Sequence, residues 1–372
     1  MRILQKYQLL IAFALILALP TANSLLGIWQ YDRASENRTF ADKVNFNISE
    51  PDSITTSIDA YCNDNFSFRS PMLDLYHHVK LNVLGISPHP DKTMAGTNNW
   101  YYLGGKEVNM YEGRVNIRDH HLHDIEQEWR RRMQYLDQRN IKYAWLIGPM
   151  KHRVYSEYLP AKVKESRDLS RLRKLHQYMD ATLPGLTVDP TAALIQAKDS
   201  SKVYYQLDNH WSHKGGEVAA TMLRSKIEEL LPDSTLNDVP DYPWNDVKVQ
   251  WGIHYNTLGI EDISEMCKYP DKVEKPNAEP YGFEPPEAFP YPDEYEYRYF
   301  YPKGMSRVKA LFIRDSFGDQ MIPFLAPIFH ESVWIFDNWQ YELHEDIIEK
   351  VQPDIVIYIT YETHIENFIP EK

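Results

Sequence analysis

Short, almost wholly apolar runs alternate with amphipathic stretches over the second two-thirds of this chain, and that alternation narrows the fold more than any other feature. Lys142-Tyr143-Ala144-Trp145-Leu146-Ile147 is one such run, and residues 186–188, 308–313, 333–336 and 355–359 are others. Each is too short for a buried helix and reads as a buried strand. Between them, residues 119–138 and 171–181 carry apolar positions at helical spacing. Strands buried on both faces need a layer of helices on each side. The expected fold is therefore a three-layer α/β domain around a mainly parallel sheet. Residues 232–304 break the pattern, being rich in Pro, Tyr, Asp and Glu without a long periodic segment. They are read as an insert, serving either as a lid or glycan-contacting surface or as aromatic packing.

Two stretches carry the chemistry. In Gln206-Leu207-Asp208-Asn209-His210-Trp211-Ser212-His213-Lys214-Gly215-Gly216, Asp208 and His210 sit at the expected mouth of a helix. Ser212 is its N-cap, and Val218, Ala219, Met222, Leu223, Ile227 and Leu230 form its apolar stripe. Lys202-Val203-Tyr204-Tyr205 leads in as a short extended segment. About a hundred residues later the 308–313 strand runs into Arg314-Asp315-Ser316-Phe317-Gly318, a turn that places a hydroxyl at a strand end. Serine needs an adjacent base, and the base needs a third group to fix its tautomer. Ser316, His210 and Asp208 fill those roles as nucleophile, base and orienting acid. Backbone N–H groups around Ser316 and Phe317, with Arg314, are expected to face the oxyanion. Asp315 is expected to bond turn N–H groups, and His213, inside the helix, ranks below His210 as the base.

Asp208-x-His210-Trp211 followed by a strand and Asp315-Ser316-Phe317 resembles the SGNH hydrolase-like domain of the alginate O-acetyltransferase family. The order, with Asp and His ahead of Ser, is that of the alginate-type domain. Further matching pieces are Glu36-Asn37-Arg38, Asp64-Asn65-Phe66-Ser67-Phe68-Arg69, Gly96-Thr97-Asn98-Asn99-Trp100-Tyr101-Tyr102 and Pro149-Met150-Lys151. The resemblance implies an O-acetyltransferase that moves an acetyl group through a serine acyl-enzyme onto hydroxyls of an exported polysaccharide. It also implies an integral membrane O-acyltransferase as acetyl source, and places Lys151 near substrate. Trp211 is read either as a floor for the acceptor sugar or as packing at the junction. Two positions depart from the pattern: Arg314 stands where Gly usually precedes Asp-Ser, and Glu362 is followed by Thr363 where Glu-Arg is frequent. The same triad suits a glycan acetyl esterase, and the departures suit a non-catalytic glycan-binding or assembly factor of an export complex. No metal or organic cofactor is expected.

The net charge of −13 over 372 residues argues against nucleic acid as a partner. It also favours a neutral or mildly charged glycan over a polyanion. Arg2 and Lys6 precede an apolar run over residues 9–19, and the segment extends to Trp29. It is read as a retained signal anchor (residues 1–30) in preference to a cleaved signal peptide. That reading gives a single-pass protein of the bacterial inner membrane with its catalytic domain in the periplasm. Residues 31–95 are expected to form a juxtamembrane arm and helix, and residues 96–372 the catalytic domain. Cys62 and Cys267 either pair in an oxidising compartment or remain separate thiols. His120, His123 and Asp124 share a helical face, but a charged helix start explains them better than a metal.

Overall fold

The computed structural model describes residues 2–26, 41, 51–65, 69–167, 169–260, 263–273 and 277–369. They belong to two compact units, Met1–Pro88 and His89–Lys372. The first holds helices Arg2–Leu26, Pro51–Asn65 and Arg69–His78. Among the described residues no helix is long and apolar enough to cross a membrane. In the Arg2–Leu26 helix the unbroken apolar run is flanked by Gln5, Lys6 and Gln8 and by Pro20, Thr21 and Asn23, so this helix gives the expected anchor no support. Trp29, the end of the segment read as an anchor, lies outside the described residues.

The second unit is built on a six-stranded sheet. Its strands are β1 (Lys142–Gly148), β2 (Thr187–Val188), β3 (Glu296–Phe300), β4 (Lys309–Arg314), β5 (Glu331–Phe336) and β6 (Ile355–Tyr361). The spatial order is β2-β1-β6-β4-β5-β3. All neighbours are parallel except β3, which runs antiparallel along β5. Central β6 pairs Ile357 with Ala144 on one side and with Phe312 on the other.

Side chains alternate across the sheet as strand geometry requires. Ala144, Leu146, Phe312, Trp334, Ile357 and Ile359 pack on one face with Ala219, Leu223 and Ile227 of helix α3 (His213–Leu230). Trp145, Ile147, Leu311, Ile313, Val356 and Tyr358 pack on the other. There they meet Trp129 and Leu136 of α1 (Asp119–Asp137) and Leu175 and Met179 of α2 (Arg171–Thr182). The expected three layers and mainly parallel sheet are thus present.

The described part of residues 232–304 holds regular elements that its composition does not indicate. Trp244–Val249 and Glu265–Pro270 form an antiparallel pair with the Ile253–Leu258 helix between them. Glu296–Phe300 then joins the main sheet as its edge. An edge strand of Glu, Tyr and Arg presents no apolar run, which is why periodicity passes over it. Cys62 and Cys267 are both free thiols, and Cys267 is buried.

Candidate active site

Strands β4, β5 and β6 all end at one edge of the sheet, and ligands of open α/β sheets bind beyond the carboxyl ends of their strands. The segment after β4 is a short turn, Ser316–Met321, capped by Asp315. One oxygen of Asp315 accepts the Phe317 N–H at 2.9 Å. The other accepts the Tyr361 N–H at 2.6 Å and the Tyr341 hydroxyl at 2.7 Å. Asp315 therefore ties the serine turn to the end of β6, the structural role expected of it.

Asp208 and His210 lie on a tight loop closed by a bridge between Tyr204 and Trp211. The Tyr205 N–H donates to the His210 carbonyl at 3.2 Å, and the Ser212 N–H to the Val203 carbonyl at 2.9 Å. The pair thus sits on a loop tip just ahead of α3, not on the helix mouth itself. Ser212 caps α3 by accepting from the Lys214 and Gly215 N–H groups.

The loop and the turn meet in a continuous relay. His210 Nδ1 lies 2.5 Å from Asp208 Oδ1, and His210 Nε2 lies 2.7 Å from Ser316 Oγ. An ionised carboxylate only accepts, so Nδ1 carries the proton and Nε2 accepts from the serine hydroxyl. Asp208 also accepts the His210 N–H at 3.0 Å and, through Oδ2, the Ile253 N–H at 2.8 Å. Burial alone would raise the Asp208 carboxyl, but the hydrogen bond and charge of His210 and these two N–H groups hold it well below its ordinary value. For His210, burial works to lower the pKa; Asp208, Asp319 and Asp315 outweigh it and leave the imidazole above its ordinary 6.5. His213 is turned elsewhere, with Nδ1 at 3.2 Å from the Tyr205 hydroxyl, and burial lowers it to about 4.

A family model described as the SGNH hydrolase-like domain of acetyltransferase AlgX matches residues 94–280. This chain belongs to the AlgX-type SGNH hydrolase-like family. The matched residues include Asp208 and His210 and stop before Ser316. Among solved structures, Bacillus cereus PatB1 with a sulfonyl adduct is similar at 14% identity and a TM-score of 0.54, over 76% of this chain and 98% of that one. A second PatB1 structure is similar at 14% identity and a TM-score of 0.51, over 73% and 96%. The O-acetyltransferase domain of Pseudomonas putida AlgJ matches at 17% identity and a TM-score of 0.47, over 74% and 92%. At these identities the likeness to PatB1 is one of fold. No curated protein sequence matches the chain.

The remaining residues expected at this AlgX-type site are close by but mostly committed. Trp211 is fully buried, donates from Nε1 to the Phe317 carbonyl at 2.8 Å and packs edge-on against the Phe317 ring. It fills the junction and offers no face to a sugar. The Phe317 N–H is held by Asp315, which leaves the Ser316 N–H, at the first position of the turn, as the donor without an intrahelical acceptor. Arg314 is wholly buried and pairs with Asp319 at 2.8 Å, so its guanidinium supports the turn from beneath. Lys151 is buried too, with Nζ at 3.0, 3.4 and 2.6 Å from the carbonyls of Tyr205, Gln206 and Asp208. It holds the acid loop and does not reach the open site.

Other residues that sequence reasoning missed complete the support. Glu265, buried on the insert hairpin, accepts the N–H groups of Gln206 at 3.0 Å and Leu207 at 2.9 Å. A Cβ on Gly252 would meet the Leu207 carbonyl at 2.4 Å and Asp208 Cβ at 2.8 Å, so the insert backbone packs directly on the acid. Nothing in a Pro/Tyr-rich stretch marks either residue. Glu362 is also buried and takes a bifurcated hydrogen bond from Arg153 Nε, 2.9 Å to each oxygen, with another from Arg153 Nη2. Arg153 thus supplies this carboxylate with a basic partner where Thr363 follows it in sequence. His120 and His121 stack edge-on, and His123 faces Glu126. Among the described residues no cluster of three His, Cys, Asp or Glu could hold a metal ion.

Proposed function

We propose that this chain is a serine-dependent O-acetyltransferase acting on hydroxyls of an exported polysaccharide. The Asp208–His210–Ser316 relay, with links of 2.5 and 2.7 Å, carries that proposal. His210 Nε2 takes the Ser316 proton as Oγ attacks the acetyl carbonyl of the donor. The Ser316 N–H supports the oxyanion, and the imidazolium returns the proton to the leaving group. A sugar hydroxyl then gives its proton to His210 Nε2 and attacks the acetyl-serine, releasing the ester and free Ser316. Asp208, kept ionised, stabilises the imidazolium in both halves of the cycle.

Family membership supports acyl transfer to a polysaccharide, and the net charge of −13 favours a glycan without strong negative charge. On the same reading the catalytic unit faces the periplasm, with residues 1–30 as its leader or anchor and a membrane O-acyltransferase as its acetyl source. Protease access in spheroplasts, against intact cells, tests that placement. The acetyl-serine is equally open to water, since the His210 side chain is 23% exposed. Wild type and Ser316→Ala should therefore be given an activated acetyl ester with and without oligosaccharides. Acetylated sugar from the wild type alone supports transfer. Acetate release that sugar does not divert makes the protein an acetyl esterase, and inertness of both proteins overturns the serine mechanism.

A further inference from the structure

A cavity of ≈ 1070 Å3 opens on the α1 side of the sheet, while the serine turn packs on the α3 side. Its lining includes none of Asp208, His210 or Ser316. It is framed by the segment after β5 and the segment after β6, with the flank of α1 behind them. We propose that this cavity is an acceptor subsite that binds a neutral or amine-bearing polysaccharide chain.

The lining has the chemistry of a saccharide site. Trp339 is half-buried: Phe336 meets it edge-on at 5.4 Å and His364 at 6.1 Å, and the remainder of its indole faces the cavity. Aromatic faces take the C–H faces of pyranose rings. Around it stand the amides of Asn338, Gln340 and Asn367, which both donate and accept, as sugar hydroxyls do. The volume lies just above the usual range for ligand pockets, ~300–1,000 Å3, which suits several linked sugars better than a small acyl donor.

Charge decides which glycan. Arg131 and Arg132 both pair with Glu128, at 2.8 and 2.7 Å, and Arg131 also faces Glu345. Glu342 and Asp346 are exposed, and no described cation pairs with either. A uronate chain would bring carboxylates against these acids, while a neutral sugar meets no penalty and an amine gains attraction.

The cavity is coupled to the triad through the segment that builds it. Asn338, Trp339, Tyr341 and His344 all have φ between 48° and 61°, a left-handed conformation that surrounding contacts must impose on residues with a Cβ. Tyr341 in that segment donates to Asp315, the cap of the Ser316 turn, and His364 Nδ1 lies 3.6 Å from the same carboxylate. The segment that builds the cavity therefore touches the residue that caps the Ser316 turn.

The role as acceptor site rests on the transferase proposal; the binding itself does not. The test uses the full chain carrying Ser316→Ala, so that no acyl transfer occurs during titration. Calorimetry would be run with manno-, gluco- and glucosamine oligomers and with a polyuronate oligomer. A neutral or glucosamine oligomer should bind, and adding Trp339→Ala should weaken it about tenfold. Adding Glu342→Lys, an exposed change that keeps the fold, should weaken the glucosamine oligomer and strengthen the polyuronate. Binding of no oligomer, binding indifferent to both substitutions, or preference for the polyuronate in the Ser316→Ala protein would each overturn the subsite. Acylation of wild-type Ser316 by an activated ester, measured alongside, tests the transferase proposal separately.

Discussion

The Lys151 ammonium lies 2.6 Å from the main-chain carbonyl of Asp208, so the helix that follows β1 grips the backbone of the residue that hydrogen-bonds His210 Nδ1. The same ammonium reaches the carbonyls of Tyr205 and Gln206. Three carbonyls match the three donors of a protonated lysine, and a neutral amine would satisfy only two. Burial drives Lys151 down to about 7, against the raising influence of Asp208, Glu265 and Glu107. Lys151→Met should therefore lower kcat by ~10–100-fold, because a displacement of about 1 Å in a catalytic group costs that much. KM should move less. Steady-state kinetics with an activated ester gives the answer, and a kcat within twofold of wild type would rule out the positioning role. The wild type should also lose activity as pH rises through 7, a decline that Lys151→Met should lack.

On the opposite side of the same loop, Glu265 accepts from Gln206, Leu207 and the Lys202 ammonium. Glu265→Ala leaves the buried Leu207 N–H and the part-buried Gln206 N–H without acceptors. It should cost on the order of 3 kcal/mol in urea unfolding and reduce kcat as well. A loss of stability with untouched kcat would make Glu265 a fold residue only.

The pH dependence of the triad follows from His210. Its folded pKa is above the ordinary 6.5, so its contribution to stability is complete below the unfolded pKa and is lost as pH rises through the folded value. Activity runs the other way, since the base must be neutral. The acid limb of kcat/KM should lie above 6.5, and Asp208→Asn should shift it downward while reducing kcat by ~10⁴. A pH–rate profile of both proteins checks this; an acid limb that Asp208→Asn does not move would separate Asp208 from the base.

A methyl group at Gly216 would sit 2.4 Å from the Gln320 carbonyl, so α3 and the serine turn touch backbone to backbone at this point. Gly216→Ala should force them apart and lengthen the His210–Ser316 link. The expectation is a kcat loss of about 10² with the fold retained by circular dichroism. Unchanged kcat would show that the turn is free to shift.

Much of this was legible because it was written in apolar runs. β1, β4, β5 and β6 are short apolar segments with helices between them, and buried strands leave that mark. Asp208, His210 and Ser316 were legible as an ordered set in plausible local settings, and the structure brings the three side chains within hydrogen-bonding distance. β3 was missed because an edge strand needs no apolar run. Arg314 and Lys151 were placed nearer substrate than they are: a basic side chain beside a catalytic position can point outward or into the protein, and one-dimensional spacing does not distinguish the two. Glu265 and Gly252 had no visible mark, since their value comes from a loop more than 40 residues away in sequence. The Phe317 N–H was expected at the oxyanion, but Asp315 takes it, a consequence of the same Asx capping that made Asp315 look structural.

The central claim is that Ser316 carries the acetyl group. Purified protein should be treated with an activated acetyl ester, quenched in acid, digested and mapped by tandem mass spectrometry, with a chase of acceptor oligosaccharide before the quench in a parallel sample. The account predicts acetyl on Ser316, absent from Asp208→Asn within the same interval and removed by the chase with acetylated sugar appearing. Acetyl found on another residue, or a Ser316 that stays unmodified while sugar is acetylated, would contradict it.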